Sequence, residues 1–240
     1  MRAIFLSDAH LKSEEDRGYQ YIVHFLDTLK GGIDCLFVVG DFFDFWFCRD
    51  GKVYPGFSPV IEKLAELKHQ GSTIYFCEGN HDFFLEEYLT KVLGILVFTE
   101  WADIDLDGRR LLVAHGDTVD RENKKYLFLR KLLRSGFIAR LQGIVPLTLL
   151  WRIARASSAM SKELSVESKY LIAGKMESFA LKKLHDDFDA VIFGHCHVPL
   201  LKEFDIRGRM KTFVALGDWI RHFSYLLYED NRFTLCYFKP

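Results

Sequence analysis

The stretch Cys35-Leu36-Phe37-Val38-Val39-Gly40-Asp41-Phe42-Phe43-Asp44 divides at Gly40. Five apolar residues with no polar alternation precede the glycine, the pattern of a short strand buried on both faces. Two carboxylates follow almost at once. A core has no use for bare carboxylates at a strand end, because burying them costs free energy unless they are paired or bound to a cation. Four other places repeat this grammar: Asp8-Ala9-His10 after Ala3–Ser7, Gly79-Asn80-His81-Asp82 after Thr73–Cys77, His115-Gly116-Asp117 after Leu111–Ala114, and Gly194-His195-Cys196-His197 after Ala190–Phe193. Each alone has an ordinary explanation as a turn, a cap or a satisfied buried pair. Five in order, each closing an apolar run, point to one site at the carboxyl ends of neighbouring strands.

The donors are carboxylate oxygens, an amide oxygen and imidazole nitrogens, without a paired thiolate. Mixed oxygen and nitrogen ligation suits Mn²⁺, Fe or Zn²⁺ better than Ca²⁺. Asp41 is the natural bridge, since a carboxylate offers two oxygens to two cations. Two divalent ions about 3.5–4 Å apart clamp an in-line displacement at phosphorus and activate a bridging water. The expectation is a two-metal phosphoesterase.

Helical spacing over Tyr19–Lys30 and Pro59–Gln70 alternates with the strands as far as residue 92, which predicts an α/β sheet. Asp107-Gly108 reads as a hairpin turn. After residue 197 the pattern is mainly strands, over Leu200–Ile206, Lys211–Leu216, Ser224–Tyr228 and Phe233–Phe238. The segment between the fourth and fifth motifs reads differently, as long helix-like stretches. The expected division is therefore a core over 1–119 and 188–240 with an inserted helical cap over 120–187. The 240 residues carry a net charge of −1, which gives no reason to expect nucleic acid. Charge is unevenly spread: residues 120–175 hold twelve Lys or Arg against four Asp or Glu, so this segment is +8 and the remainder −9. The same segment holds an apolar run that includes Phe128, Leu132, Leu133, Phe137, Leu141, Ile144 and Trp151. An acylated anionic partner fits that combination. The apolar residues could equally pack cap helices together. Five cysteines without CxxC spacing suggest a reducing compartment. A motif at residue 8 leaves no room for a signal peptide, and no apolar run is long enough to span a bilayer.

The motif set resembles the calcineurin-like metallophosphoesterase superfamily. The resemblance implies a four-layer αββα sandwich of two mixed sheets. It assigns one metal to Asp8, His10, Asp41 and His197 and the other to Asp41, Asn80, His115 and His195. His81 takes the place of the histidine that contacts the reacting phosphate or protonates the leaving group, with Asp82 orienting it. Within the superfamily, Gly40-Asp41-Phe42-Phe43-Asp44-Phe45-Trp46, His115-Gly116-Asp117-Thr118, Ser161-Lys162-Glu163 and Ser168-Lys169 resemble the UDP-2,3-diacylglucosamine pyrophosphohydrolases of lipid A biosynthesis. That resemblance implies two Mn²⁺ ions, a nucleotide-sugar lipid substrate and a cytoplasmic protein peripheral to the inner membrane. It places substrate contacts at Asn80, His81, Asn123, Arg155, Ser161, Ser165, Lys169 and His195. The chain departs from the family pattern at His81, where many members have Arg, at Asn123, often Asp, and at Ser165, often Asn. A phosphoesterase for a soluble nucleotide or other phosphoester is the alternative. A non-catalytic scaffold has no need of the full donor set. No protein partner is inferred.

Overall fold

A computed structural model describes residues 1–152 and 166–239. Two mixed sheets face each other. In the first, β1 (Ala3–Leu6), β2 (Cys35–Val39), β3 (Thr73–Cys77) and β4 (Leu96–Phe98) run parallel, and β10 (Ser224–Glu229) and β11 (Arg232–Tyr237) add antiparallel beside β1. The second has the order β5-β6-β7-β9-β8, from Trp101–Leu106, Arg109–Ala114, Ala190–Phe193, Arg209–Leu216 and Pro199–Ile206 respectively. Within it β6, β7 and β9 are mutually parallel.

The apolar runs lack polar alternation because both faces of each strand are covered. Phe5, Phe37, Val39, Val113, Ile192 and Val214 point between the sheets and form their shared core. Their neighbours Ile4, Leu6, Leu36, Val38 and Phe76 point outward against α1 (Arg17–Thr28) and α2 (Ser58–His69). On the far side Leu112, Val191, Phe193 and Phe213 pack against a helix over Val166–His185, here α6. Burying each of these large side chains contributes about 1.5–3 kcal/mol relative to exposure. The result is the four-layer α/β arrangement expected from the sequence, with a short α3 (Glu86–Leu89) leading into β4. Trp46 is 4 % exposed and stacks on Phe57, so it belongs to the core and does not line the cavity over the motif loops.

The segment read as one cap over 120–187 divides in two. Helix α4 (Lys124–Leu133) is bonded to the motif loops, and α5 (Gly136–Ile144), with helical residues at 147–152, lies beside the segment over 46–50. The helix α6 instead forms the outer layer of the second sheet through Ala173, Met176, Ala180 and Leu184. Small alanines let it sit close to the strands, and the many charged residues between them hid this stripe in the sequence. Arg155, Ser161 and Ser165 lie outside the described residues.

Candidate active site

The strands that carry the motifs are parallel within each sheet, so β1, β2 and β3 deliver their carboxyl ends beside those of β6, β7 and β9. The loops interlock there. Asp8 N–H donates to the Gly40 carbonyl, His10 N–H to that of Asp41 and Leu11 N–H to that of Phe42. Asp8 in turn accepts the His195 N–H on Oδ2 at 2.9 Å, which joins the two sheets. The fit is close enough that a Cβ on Gly40 would come within 2.5 Å of the His115 ring. Asp8, His10, Asp41, His195 and His197 all have φ between 46° and 65°. Five non-glycine residues in the left-handed region cost free energy, which such sites store for function.

These loops gather all seven sequence-proposed donors. Asp8, His10 and His197 offer atoms within 4.8 Å of one another, as do Asp41, His115 and His195. Asp41 lies between the groups: its Oδ2 is 3.7 Å from His10 Nε2 and 3.3 Å from His115 Nε2. Asn80 Oδ1 reaches His115 Nε2 at 3.1 Å. His197 Nε2 is 3.4 Å from Asp8 Oδ1.

Three imidazoles are held in the same manner. Nδ1 of His115 meets the Val39 carbonyl at 3.1 Å, that of His10 meets Asp44 at 3.5 Å, and that of His197 meets Asp218 at 3.5 Å. Each outer contact holds a proton on Nδ1 and turns the Nε2 lone pair inward, the arrangement of metal-binding histidines. Asp8 Oδ1 and His10 Nε2 are buried with no hydrogen-bond partner. Inward lone pairs, unsatisfied buried acceptors and clustered carboxylates fit divalent cations.

The electrostatics show how strongly the site attracts positive charge, which a proton on His115 supplies where no cation does. Burial alone would lower the His115 pKa, yet Asp41 beside it lifts it to about 10. Burial opposes ionisation of Asp41, but His115 and His81 hold its carboxyl well below the usual range. His195, buried and next to His115, falls to about 4 and is neutral at pH 7.

Around the donors the structure revises several sequence assignments. Asp82 does not orient His81. Its carboxylate accepts the backbone N–H groups of Asp41, Phe42, Phe43 and Gly79 at 2.7–3.1 Å. The His81 ring is oriented instead by Asp44, whose carbonyl lies 3.1 Å from Nδ1. Asp117, the carboxylate of the fourth motif, accepts from Arg130 Nε at 2.6 Å and the Tyr126 hydroxyl at 2.8 Å, and so ties α4 to the core. Arg134, one turn further along, donates to Glu78 at 2.8 Å and to the Gly79 carbonyl at 2.6 Å. Arg130 and Arg134, two of the charges that make this segment basic, are thus both engaged by the protein itself. Asn123 caps α4, its Oδ1 accepting from Tyr126 N–H at 3.2 Å, and does not line the cavity. Lys169 does line it, with Asn80, His81 and His195.

One supporting residue escaped the sequence reading. Asp218 accepts three backbone amides, from Ile220, Arg221 and His222, and faces both His197 and the His222 Nδ1, the latter at 3.1 Å. The signal was present: Gly217-Asp218 follows β9 as Gly40-Asp41 follows β2.

Six oxygen and imidazole donors gathered about the Asp41 carboxylate, at the seam of a double-sheet sandwich, define a metal-dependent hydrolase with a candidate dinuclear site. The family model described as calcineurin-like phosphoesterase matches residues 1–199, and the chain belongs to that family. Among its relatives are proteins named UDP-2,3-diacylglucosamine hydrolase. The one from Vibrio cholerae serotype O1 is 29 % identical over 237 residues, covering 98 % of this chain and 97 % of the relative. That of Aeromonas salmonicida is 31 % identical over 229 residues, covering 95 % and 89 %. A solved structure described as a novel archaeal phosphodiesterase shares the fold, with a TM-score of 0.52 at 14 % identity over 99 % of this chain and 100 % of that one.

Proposed function

We propose that this protein hydrolyses the diphosphate of UDP-2,3-diacylglucosamine at the α-phosphorus, giving UMP and 2,3-diacylglucosamine 1-phosphate. The observation that carries this reading is the junction of the two donor clusters with an exposed apolar helical surface. Phe128 is 70 % exposed on α4, which Arg130 and Arg134 bond to the motif loops, and Phe137 and Ile144 are 70 % and 80 % exposed on the adjoining α5. The near-full-length similarity to hydrolases of that name supports it. Asp8, His10, Asp41 and His197 would hold one divalent ion, and Asp41, Asn80, His115 and His195 the other. When bound, two such ions supply Lewis acidity and lower the pKa of a shared water. Mixed ligation without thiolate favours Mn²⁺; Cys196 between two donors is buried with its Sγ toward the Val198 carbonyl.

The chain's own groups do the rest. His81 lines the cavity with Nδ1 engaged by Asp44, which leaves Nε2 for the reacting phosphate or the departing oxygen. Burial lowers its pKa, but Asp41 and Asp44 outweigh this and raise it, favouring a proton on Nε2. Lys169 offers its ammonium group to the diphosphate. Lys124, Lys125 and Lys131 flank the exposed apolar residues of α4, a combination suited to the anionic surface of an inner membrane from its cytoplasmic side. Among the described residues no helix is long and apolar enough to cross a membrane.

Hydrolysis in ¹⁸O-water, read by mass spectrometry, tests the reaction. UMP carrying the label is expected. Label in the sugar phosphate would place attack on the other phosphorus. Turnover of soluble phosphodiesters with none of the lipid would replace this reading with a soluble substrate.

A further inference from the structure

A cavity of about 480 Å³ opens over the donor clusters, and it is lopsided. From Asp41, Asn80 and His195 it passes His10 and His197 and continues to Lys12, Asp16, Gly18, Trp219 and Ile220. That end lies between the loop from β1 into α1 and the loop from β9 into β10. No residue of α4 or α5 lines it among those described. Strand order explains the asymmetry. Asp8, His10 and His197 close β1 and β7 on the side of the seam nearest α1. Asn80 and His115 close β3 and β6 on the opposite side, where α4 is bonded to Glu78, Gly79 and Asp117. A molecule spanning both clusters therefore has the α1 end of the cavity on one side and the helix α4 on the other.

The two sides differ in chemistry. The α4 side offers Phe128, Leu132 and Phe137, all exposed. The α1 side offers an ammonium on Lys12, a carboxylate on Asp16, the backbone of Gly18 and a 43 % exposed Ile220. Asp16 is the N-cap of α1, a position where Asp ordinarily bonds the first helical amides, yet its side chain makes no capping bond. The carboxylate is thus left to accept hydrogen bonds at the cavity wall.

We propose that the α1 end of the cavity is the nucleoside subsite. Asp16 accepts from ribose hydroxyls or the base N–H, Ile220 packs against the face of the base, and Lys12 sits beside the nucleotide phosphate. The acylated half leaves in the opposite direction, toward α4 and α5. This rests on the nucleotide-lipid reading above and adds the direction in which the substrate lies.

Calorimetric titration of the Mn²⁺-loaded full chain with UMP and with inorganic phosphate tests it, together with hydrogen exchange of the same mixtures. The wild-type protein is expected to bind UMP more tightly than phosphate by about tenfold or more. Asp16→Ala and Ile220→Ser should each bring that ratio toward one. UMP, but not phosphate, should protect amides in segments 12–20 and 218–222. A wild-type protein with no preference for UMP overturns the nucleotide reading and the subsite together. A preference that survives both substitutions, or UMP protection confined to α4, overturns the subsite alone. Equal loss of UMP and phosphate affinity in the variants also overturns it, since a nucleoside contact cannot act on phosphate.

Discussion

Asp82 holds the loop after β2 by its main chain: four buried amides converge on two oxygens. Burial and the adjacent Asp41 charge push its carboxyl up to about 7 against the pull of those amides. Replacing it with Ala orphans the donors, and each buried unsatisfied group costs about 1–3 kcal/mol. Asp82→Ala is expected to lower the melting temperature by several degrees while Asp82→Asn, which keeps one acceptor, falls between. Equal melting of Asp82→Ala and wild type would show that the loop stands without it. The contrast with its neighbours shows what was legible. Asp8, Asp41, Asn80 and the histidines were visible in the sequence because their chemistry is out of place at the end of a buried strand. The role of Asp82 was not, because a bond to main-chain amides leaves no mark on which residues follow one another. Asp218 shows the intermediate case, a Gly-Asp signal present but read past.

At the scale of elements, α4 is the piece whose role changed most between sequence and structure. Its Tyr126, Arg130 and Arg134 recur every fourth residue, so one face of the helix meets Asp117, Glu78 and the Gly79 carbonyl. Composition registered these arginines as free positive charge, and only the fold reveals their carboxylate partners, far away in sequence. The strands of the core were readable because each is covered on both faces. Three-residue β4 was too short to register, and α6 was assigned to the wrong layer. The Glu78–Arg134 pair yields a signed prediction. Both side chains are nearly buried, and burial raises the Glu78 pKa. Arg134→Met removes the cation and leaves a carboxylate that prefers its proton, at a cost on the order of 3–5 kcal/mol if it stays charged. A raised folded-state pKa gives stability at low pH that is lost as pH rises through it. The deficit of Arg134→Met in denaturant melts should therefore grow from pH 5 to pH 8, and Glu78→Gln in the same chain should remove most of that growth. A pH-independent deficit would mean that the helix, not the charge, was lost.

For the whole molecule, the donors span the chain from Asp8 to His197 and belong to both sheets, so cations bound there would hold the sandwich together as well as serve chemistry. A ligand bound only to the folded state stabilises it by about 2.7 kcal/mol at a hundredfold excess over its Kd. Chelator-treated protein is expected to melt several degrees lower, Mn²⁺ to restore the melting point more fully than Mg²⁺, and Asp41→Ala to lose the metal-dependent shift while remaining folded. Equal shifts in Asp41→Ala and wild type would sink the shared-carboxylate arrangement. The pairing of β1 with β10 bears on how the molecule is made. Asp8 is synthesised long before β10, yet its strand lies between β2, which follows soon after, and β10, which follows only after every strand of the second sheet. The loop that carries Asp8 also takes its last main-chain contact from Trp219 N–H. A nascent chain therefore carries its carboxylates and imidazoles as loose, weakly chelating groups until that hairpin docks, and the capacity to capture cations tightly reports that β1 has found its last neighbour.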